Sequence, residues 1–266
     1  MYQKYKTLKT ILASYDQLIV AFSGGVDSSF LLKTAYDILG SNVLAITAKT
    51  PYIAEWEIQD AKRIAKEIGA KHMVIEKPWI ESIKTNPENR CYLCKHALFS
   101  SLKAFANTYE YTHIVEGSNV NDTYEYRPGR KALEELAICT PLLDANLTKE
   151  EIRLLSKELG LSTWDKPSYA CLLTRFAYNQ PIKLEALHSV GLAEAYMIEQ
   201  GFGEIRVRYD NGLARLEMPR LKAVELLQNE KLPTICQHFK SLGFAHVTVD
   251  LEGYCSNSPK QTPKEP

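Results

Sequence analysis

The sequence predicts an α/β fold with a parallel sheet, followed by a smaller α+β domain. Hydrophobic runs alternate with amphipathic segments along the first half of the chain. A glycine-rich turn joins the first run to a helical segment, and Asn211-Gly212 separates two later runs. Strands separated by helices pair in parallel through right-handed crossovers, whereas an Asn-Gly turn joins two antiparallel strands.

The first predicted domain covers residues 1–175. Thr148 and Glu151 have the spacing of a capping box, so a helix begins there and ends before Gly160. The carboxyl ends of parallel strands share one sheet edge, where ligands bind in such folds. The other expected elements are strand 17–22 with the glycine-rich turn and its helix, strand 42–48, helix 54–68, strand 71–76, helix 89–106 and strand 113–116.

The second predicted domain covers residues 176–255 and is α+β, with antiparallel pairing. Residues 256–266 are rich in Ser, Pro and Lys, and this composition predicts a disordered tail. The expected elements of the domain are helix 182–200, strand 204–209, strand 213–218, helix 220–227 and strand 246–251.

Composition argues against several classes of protein. The 32 basic and 32 acidic side chains give a formal net charge of zero, so no basic field indicates a nucleic-acid partner. No apolar run approaches the roughly 20 residues of a membrane span, and the first residues lack the hydrophobic core of a signal peptide. We therefore expect a soluble, cytoplasmic protein with no membrane partner. In that reducing compartment the six cysteines are expected as thiols, metal ligands or redox groups rather than disulfides.

The segment Ser23-Gly-Gly-Val-Asp-Ser-Ser29 follows the first hydrophobic strand and opens a helix. Its two glycines allow a tight turn that brings backbone N–H groups close to a ligand, and the helix adds the positive end of its dipole. This arrangement is typical of a phosphate site. It lacks the Gly-Lys-Ser/Thr ending of a Walker loop and the spaced glycines of a dinucleotide-binding turn.

This string resembles the loop of the PP-loop ATP pyrophosphatases, the superfamily that includes GMP synthetase, NAD synthetase and several sulfur transferases. The resemblance implies a domain of the adenine nucleotide alpha hydrolase-like (HUP) type that cleaves ATP to AMP and pyrophosphate. It also implies ATP and Mg²⁺ as cofactors, with Asp27 as a partner of the magnesium ion. The pyrophosphate-binding residues carried over by the match are Ser23, Gly24, Gly25, Asp27 and Ser28.

Residues after two later strands are expected to complete the nucleotide site. The resemblance carries over Ala48, Gly117 and Asp122 as residues around the adenine and the phosphates. An ordinary loop is the alternative interpretation of the segment at Gly117. The segment around Arg127 is expected to lie over the nucleotide, with Arg127 as a nucleotide-binding residue.

Cys91 and Cys94 lie three residues apart in a predicted helix, so their sulfur atoms share one helix face. One such pair does not complete a four-ligand zinc site, and a third sulfur has to come from elsewhere. Cys171, in a loop segment between the two domains, is the candidate. On the spacing alone, a zinc site, a redox pair and chance all remain open. Three further cysteines are interpreted as packing residues or incidental thiols: Cys139, Cys236 and Cys255.

The Asn211-Gly212 turn also predicts the register of its two strands. Arg208 then lies opposite Arg215 and Arg206 opposite Glu217, all on one face of the hairpin. Two opposed arginines destabilise a hairpin unless an anion or a carboxylate lies between them. One interpretation of this face is a binding site for a phosphorylated, acidic substrate, and the other is a solvated face with one Arg–Glu pair. The apolar face is predicted to hold Ile205, Val207, Tyr209, Leu216 and Met218.

Five motifs together are similar to those of the LarE-type ATP-dependent sulfur transferases, in the same order and spacing. They are SGGVDS, NPENRCYLCK, EGSNVNDTYEYRPGRKAL, KPSYACLLTRF and RVRYDNGLARLEMP, and the resemblance extends over nearly the whole chain. It implies that a carboxylate of pyridinium-3,5-biscarboxylic acid mononucleotide is adenylated and that sulfur then replaces its oxygen. The thiocarboxylate product is an intermediate in the synthesis of the nickel-pincer nucleotide cofactor.

The resemblance also implies the source of the sulfur. In one subgroup, which lacks the CxxC pair, the cysteine matched by Cys171 gives up its sulfur and becomes dehydroalanine. In the other, three cysteines hold a [4Fe-4S] cluster with an open iron site, and Cys91, Cys94 and Cys171 match that subgroup. These cysteines and Asp27 are the expected catalytic residues, with sacrificial donation from Cys171 as the alternative.

The substrate-binding residues are implied by the same resemblance, and the hairpin register adds Arg215 to them. A small-molecule nucleotide is the expected partner and a homo-oligomer the expected assembly. The alternative functions are a PP-loop tRNA thiolase and a non-catalytic nucleotide-binding regulator. Arg175, four residues beyond Cys171, is a further candidate for holding phosphate or AMP, with an ordinary surface role as the alternative. The residues carried over are Glu194, Arg206, Arg208 and Glu217.

Overall fold

The computed structural model describes residues 1–124 and 128–254, which form two compact units. In the chain the division between them falls after Ser168, and two short internal segments also belong to unit 2. Arg127, Cys255 and the predicted tail at 256–266 lie outside the described residues. Among the described residues, unit 1 consists of Met1–Thr50, Trp56–Pro78 and Asn89–Ser168, and unit 2 of Pro51–Glu55, Trp79–Glu88 and residues 169–254.

Unit 1 is built around a four-stranded parallel sheet in the order β3-β2-β1-β4. The predicted α/β class and the parallel sheet are confirmed. The strands are β1 Leu18–Ala21, β2 Val43–Lys49, β3 Lys71–Glu76 and β4 His113–Val115. The helices of this part of the chain are α1 Tyr2–Ala13, α2 Val26–Leu39, α3 Glu55–Ile68, α4 Arg90–Thr108, α5 Gly129–Glu135, α6 Pro141–Asp144 and α7 Lys149–Glu158.

Strand β1 shows why this sheet needs helices on both faces. Successive side chains of a strand point to opposite faces. Leu18 and Val20 belong to one hydrophobic cluster and Ile19 to another, and all three are completely buried. A continuous apolar run such as this is what a strand buried on both faces requires.

The carboxyl ends of β1 and β4 lie side by side, because these strands are paired in parallel. The turn at residues 22–25 follows β1 and leads into α2, while residues 116–119 follow β4. The capping box at the start of α7 is confirmed, since Thr148 and Glu151 exchange hydrogen bonds with each other's backbone N–H groups. These features place the candidate phosphate loop at the predicted edge of the sheet.

Unit 2 contains a three-stranded sheet in the order β5-β6-β7. The predicted register of the hairpin is confirmed, with Arg208 opposite Arg215 and Arg206 opposite Glu217. The strands are β5 Arg206–Asp210, β6 Leu213–Glu217 and β7 His246–Val249, and the helices are α8 Leu184–Glu199, α9 Arg220–Leu227 and α10 Leu232–Ser241.

The pairing of β7 differs from the sequence-based expectation of antiparallel strands in this region. Strands β5 and β6 are antiparallel, but β7 runs parallel to β6. The reason is the connection, since α9 and α10 form a helical crossover that returns the chain in the same direction. Helix α10 was not predicted from the sequence, so this crossover was not expected.

Helix α1 was also missed, together with the short helices α5 and α6. In α1 the apolar residues Tyr5, Leu8 and Leu12 lie three and four positions apart, which is the spacing of one helix face. Leu8 and Leu12 are completely buried in the larger core of unit 1, and Tyr5 packs against it. None of the helices within residues 1–124 and 128–254 has the length and apolar character of a membrane span.

Candidate active site

The turn after β1 passes α3 with no room for a side chain. Gly24 has a φ of +69°, and a Cβ atom at this position would lie 2.9 Å from Cα of Ala61. Only glycine combines this backbone conformation with such a close approach. Gly25 is the N-cap residue of α2, so the turn delivers the chain directly to the amino-terminal end of that helix.

Two serine hydroxyls meet at the amino-terminal end of α2. Ser23 Oγ lies 3.1 Å from Ser28 Oγ and accepts a hydrogen bond from the backbone N–H of Gly25 at 3.3 Å. The hydroxyl of Ser28 donates to the carbonyl oxygen of Gly25 at 3.2 Å. Hydroxyl groups and N–H groups at a helix amino terminus are suited to an anion. The structure therefore brings the predicted loop residues together in a form that can hold phosphate.

Asp27, in the first turn of α2, forms an ion pair with Lys149. Its other carboxylate oxygen accepts a hydrogen bond from the side-chain amide of Asn119 at 3.2 Å. Burial raises the pKa of the Asp27 carboxyl above its ordinary value, while the charge and hydrogen bond of Lys149 act in the opposite direction. The Lys149 ammonium group thus contacts the same carboxylate that the resemblance assigns to magnesium.

Lys149 is a functional candidate that the sequence analysis missed. It is the first residue of α7, where the helix dipole favours acidic rather than basic side chains. A lysine at that position therefore costs the helix some stability unless a carboxylate lies near it. This unfavourable placement was the signal in the sequence that could have identified it.

The segment after β4 packs against the first turn of α2. A Cβ atom at Gly117 would lie 3.1 Å from the backbone nitrogen of Ser28, so this glycine permits close contact with the loop helix. Asp122 is buried and accepts a hydrogen bond from the backbone N–H of Asn119 at 3.0 Å. Gly117 therefore allows the segment to approach the loop closely, and Asp122 holds the conformation of the segment. Their contacts with a nucleotide stay predictions. Ala48 lies at the end of β2 and is half-buried.

Lys166 is a second cation beside the loop that the sequence analysis missed. Its ammonium group donates to the carbonyl oxygen of Gly24 at 2.9 Å and forms an ion pair with Asp60 on α3. Burial alone would raise the pKa of the Asp60 carboxyl, but hydrogen bonds and charge from Lys166 and Arg63 hold it below its ordinary value. Asp60 is therefore a stable anionic partner for the lysine.

The three predicted cluster cysteines are distributed over both units. Cys91 and Cys94 lie in the first turns of α4 in unit 1, with Cys91 exposed and Cys94 half-buried. Cys171 belongs to unit 2 and precedes a short 3₁₀ helix at Leu172–Arg175. Within the described part of the chain, no group of three or more His, Cys, Asp or Glu side chains is placed to hold a metal ion. The convergence of these cysteines on a cluster stays a prediction.

The cysteines fit an iron–sulfur cluster in their chemistry. Thiolates are the usual protein ligands of such clusters. The helical spacing of Cys91 and Cys94 is confirmed, and neither these two cysteines nor Cys171 forms a disulfide. A helix amino terminus also stabilises a thiolate.

A buried carboxylate lies between the opposed arginines of the hairpin. Glu217 is 1% exposed, and its two oxygens accept hydrogen bonds from Arg208 at 2.7 Å and from Arg215 at 3.2 Å. Arg215 also forms an ion pair with Asp250 at 3.3 Å. The repulsion predicted from the register is therefore relieved within the protein, and the hairpin does not require a bound anion in order to fold.

Arg175 and Glu194 form a second buried ion pair. Both side chains are 1% exposed, and the guanidinium makes two hydrogen bonds to the carboxylate, at 2.8 and 2.9 Å. Glu194 also accepts a hydrogen bond from the backbone N–H of Val207 in β5 at 2.8 Å. This pair connects the segment after Cys171 to α8 and to the hairpin. Arg175 is consequently not the ordinary surface residue that was the alternative interpretation.

The guanidinium of Arg206 lies between two aromatic rings. Its carbon is 4.7 Å from the ring centroid of Tyr169 and 5.0 Å from that of Tyr254. The side chain is buried, and both burial and the neighbouring Arg175 charge lower its pKa. The Glu194 charge acts on this pKa in the opposite direction, and the guanidinium donates a hydrogen bond to the carbonyl oxygen of Ile205 at 2.7 Å. Stacking of this kind favours a cation at this position.

Comparison with known proteins agrees with this geometry. The family described as NAD synthase matches residues 4–104. An uncharacterized protein of Synechocystis sp. is 39% identical over 255 residues, which cover 95% of each chain. The pyridinium-3,5-bisthiocarboxylic acid mononucleotide synthase of Lactiplantibacillus plantarum is 33% identical over 263 residues, which cover 97% of this chain and 94% of that protein. An uncharacterized protein of Methanocaldococcus jannaschii is 37% identical over 240 residues, covering 90% and 91%.

Replacement of Glu217 by glutamine tests the internal neutralisation of the hairpin. The variant leaves Arg208 and Arg215 opposed without the carboxylate between them. We expect the free energy of unfolding to fall by roughly 1.5 to 3 kcal/mol, the usual worth of hydrogen bonds to charged groups. Glu225→Gln removes an exposed carboxylate that is paired with Lys222 at 2.8 Å and is expected to change stability by less than about 0.5 kcal/mol. Equal stability of both variants in denaturant unfolding would show that Glu217 is not the stabilising counter-charge.

Proposed function

This chain belongs to the LarE-type family of PP-loop ATP-dependent sulfur transferases, and from that premise we propose that it adenylates a carboxylate of pyridinium-3,5-biscarboxylic acid mononucleotide and converts it to a thiocarboxylate. The observation that carries the proposal is the similarity to the L. plantarum synthase over almost the full length of both chains. An intact phosphate loop at the sheet edge supports it. The thiocarboxylate product is a step towards the nickel-pincer nucleotide cofactor.

The first half of the reaction uses the loop of unit 1. A carboxylate oxygen of the substrate attacks the α-phosphorus of ATP, and the bond to the bridging oxygen breaks as pyrophosphate leaves with the electron pair. Ser23, Ser28 and the N–H groups of α2 hold the pyrophosphate. Asp27 is the residue that would hold the magnesium ion, and Lys149, its ion-pair partner, contributes a positive charge beside the phosphates.

Adenylation is needed because a carboxylate is a poor electrophile. In the acyl-adenylate, AMP is a good leaving group. A sulfur nucleophile forms a carbon–sulfur bond at the acyl carbon, and the carbon–oxygen bond to AMP then breaks. Cys91, Cys94 and Cys171 are the residues that would hold a [4Fe-4S] cluster, and such a cluster would supply the sulfur nucleophile.

The substrate carries a phosphate and two carboxylates, which suits the arginines of unit 2. Arg206 is the best placed of them, because its buried guanidinium is stacked between the rings of Tyr169 and Tyr254, which favour a cation. Arg208 and Arg215 contribute positive charge but share the Glu217 carboxylate. Arg175 and Glu194 act indirectly: their ion pair holds the segment after Cys171 against α8 and the hairpin, and so positions the residues around it.

Asp27→Asn tests the assignment of the loop. The variant loses the charge that holds magnesium and pairs with Lys149, so substrate-dependent release of AMP and pyrophosphate should fall by roughly 100-fold or more, because several charge-assisted contacts act as a unit. Asp37→Asn, on the same helix, removes only the exposed pair with Lys33 and should retain activity. Production of ADP and phosphate without AMP would contradict the proposed chemistry.

The cluster is tested on anaerobically purified protein. We expect about four iron atoms for each chain and a brown chromophore, and Cys91→Ala, Cys94→Ala and Cys171→Ala should each remove both. Cys139→Ala is the matched control, because Cys139 packs against the core of unit 1. A single bound zinc, or the loss of one sulfur atom from Cys171 by mass after one turnover, would favour the sacrificial mechanism over the cluster.

Arg206→Ala tests the substrate site. We expect binding of pyridinium-3,5-biscarboxylic acid mononucleotide, measured by calorimetry, to weaken by roughly tenfold or more, because a charge-assisted contact to an anion is lost. Arg220→Ala replaces an exposed arginine at the start of α9 and should leave the affinity unchanged. Unchanged affinity together with a large drop in the thermal midpoint would assign Arg206 a structural role only.

A PP-loop tRNA thiolase is the alternative enzyme. The zero net charge of the chain argues against it. Binding to tRNA with a steep salt dependence would revive that alternative.

A further inference from the structure

Lys166 lies behind the phosphate loop rather than in front of it. Its ammonium group donates to the carbonyl oxygen of Gly24. The peptide that joins Gly24 to Gly25 is planar and trans, so its carbonyl and its N–H point in opposite directions. That N–H donates towards Ser23 Oγ, which is the side of the loop where the hydroxyl groups meet. The lysine and the phosphate-binding groups therefore lie on opposite sides of one peptide.

A peptide between two glycines has little steric resistance to rotation, because neither residue has a Cβ atom. The orientation of this peptide thus depends on what holds its two polar groups: Ser23 Oγ accepts from the Gly25 N–H at a long 3.3 Å, and the Gly24 carbonyl accepts from a donor on the other side. Within the described part of the chain, Lys166 is the side chain that donates to this oxygen. A donor that holds this carbonyl keeps the Gly25 N–H directed towards the anion site before the anion binds.

The position of Lys166 is itself fixed from three directions. Its ammonium pairs with Asp60, the residue before Ala61, against which Gly24 packs. Its backbone N–H donates to the carbonyl of Thr163 at 3.1 Å, and its own carbonyl accepts a hydrogen bond from Arg153 on α7 at 2.9 Å. The side chain is only 16% exposed. The lysine is therefore held rigidly enough to position the peptide that it contacts.

We propose that Lys166 is a positioning residue for ATP: it fixes the Gly24–Gly25 peptide so that the Gly25 N–H faces the pyrophosphate. The proposal rests on the proposed function only in that the loop binds the phosphates of ATP. Lys166 acts through the Gly24 carbonyl, and its charge is neutralised locally by Asp60.

The test uses Lys166→Met, which keeps most of the side-chain volume and removes the donor. Binding of Mg·ATP and of pyrophosphate, measured by calorimetry without the acceptor substrate, should weaken by roughly tenfold. Deuterium exchange of the loop amides at residues 23–27 should become faster in the ligand-free protein. Lys166→Arg retains donors for both the carbonyl and the carboxylate and should recover most of the affinity.

Lys33→Met is the matched control, because it removes an exposed ion pair with Asp37 on the helix that follows the loop. It should change neither affinity nor exchange. Full ATP affinity in Lys166→Met would overturn the proposal. So would weak binding with unchanged exchange in the ligand-free loop, since that result identifies Lys166 as a direct phosphate ligand. Binding of Mg·ATP is measured without the acceptor substrate and does not depend on sulfur transfer. The result therefore tests Lys166 even if the proposed acceptor substrate is wrong.

Discussion

The close approach between Gly24 and Ala61 is the constraint on which the nucleotide site depends. Because a Cβ atom at Gly24 would be 2.9 Å from the Ala61 backbone, the loop can lie against α3 only with glycine at this position. That contact fixes where α2 begins, and therefore where its N–H groups and the hydroxyls of Ser23 and Ser28 meet. It also places the Gly24 carbonyl beside Asp60, within reach of Lys166.

Helix α7 connects the two sides of this loop. Its first residue, Lys149, pairs with Asp27 in front, and Arg153, one turn later, holds the backbone of the turn that carries Lys166 behind. The capping box of Thr148 and Glu151 satisfies the first N–H groups of α7 and so offsets the unfavourable lysine at its start. A helix whose amphipathic face is part of the unit 1 core thereby also organises the charges of the site.

In unit 2 the charges of three arginines are balanced within the unit. Its arginines are compensated by carboxylates of the same unit, with Glu194 on Arg175 and Glu217 between Arg208 and Arg215. Buried pairs of this kind are costly to desolvate and are expensive to break by loss of one partner. The stability of the hairpin is therefore separable from ligand binding. Arg206 differs from these arginines in its surroundings, because its guanidinium is stacked on the rings of Tyr169 and Tyr254.

Features that depend on local geometry could be predicted from the sequence. The Asn211-Gly212 turn was sufficient for the register of β5 and β6, because a two-residue turn leaves one pairing possible. The alternation of apolar runs and helices predicted the parallel sheet, and the glycines of the loop predicted a phosphate site. The family resemblance, rather than these patterns, indicated the reaction and its substrate.

Only the tertiary structure decided which charges meet. Lys149 is 122 positions from Asp27 in the sequence, and Lys166 is 142 positions from Gly24. No local period relates residues that far apart, because their contact depends on how whole helices pack on the sheet. The same holds for Glu217: its position opposite Arg206 followed from the register, but its carboxylate turns to the other two arginines of the face. Which arginines the Glu217 carboxylate contacts depends on side-chain packing and burial. The alternation of residues along a strand does not predict these.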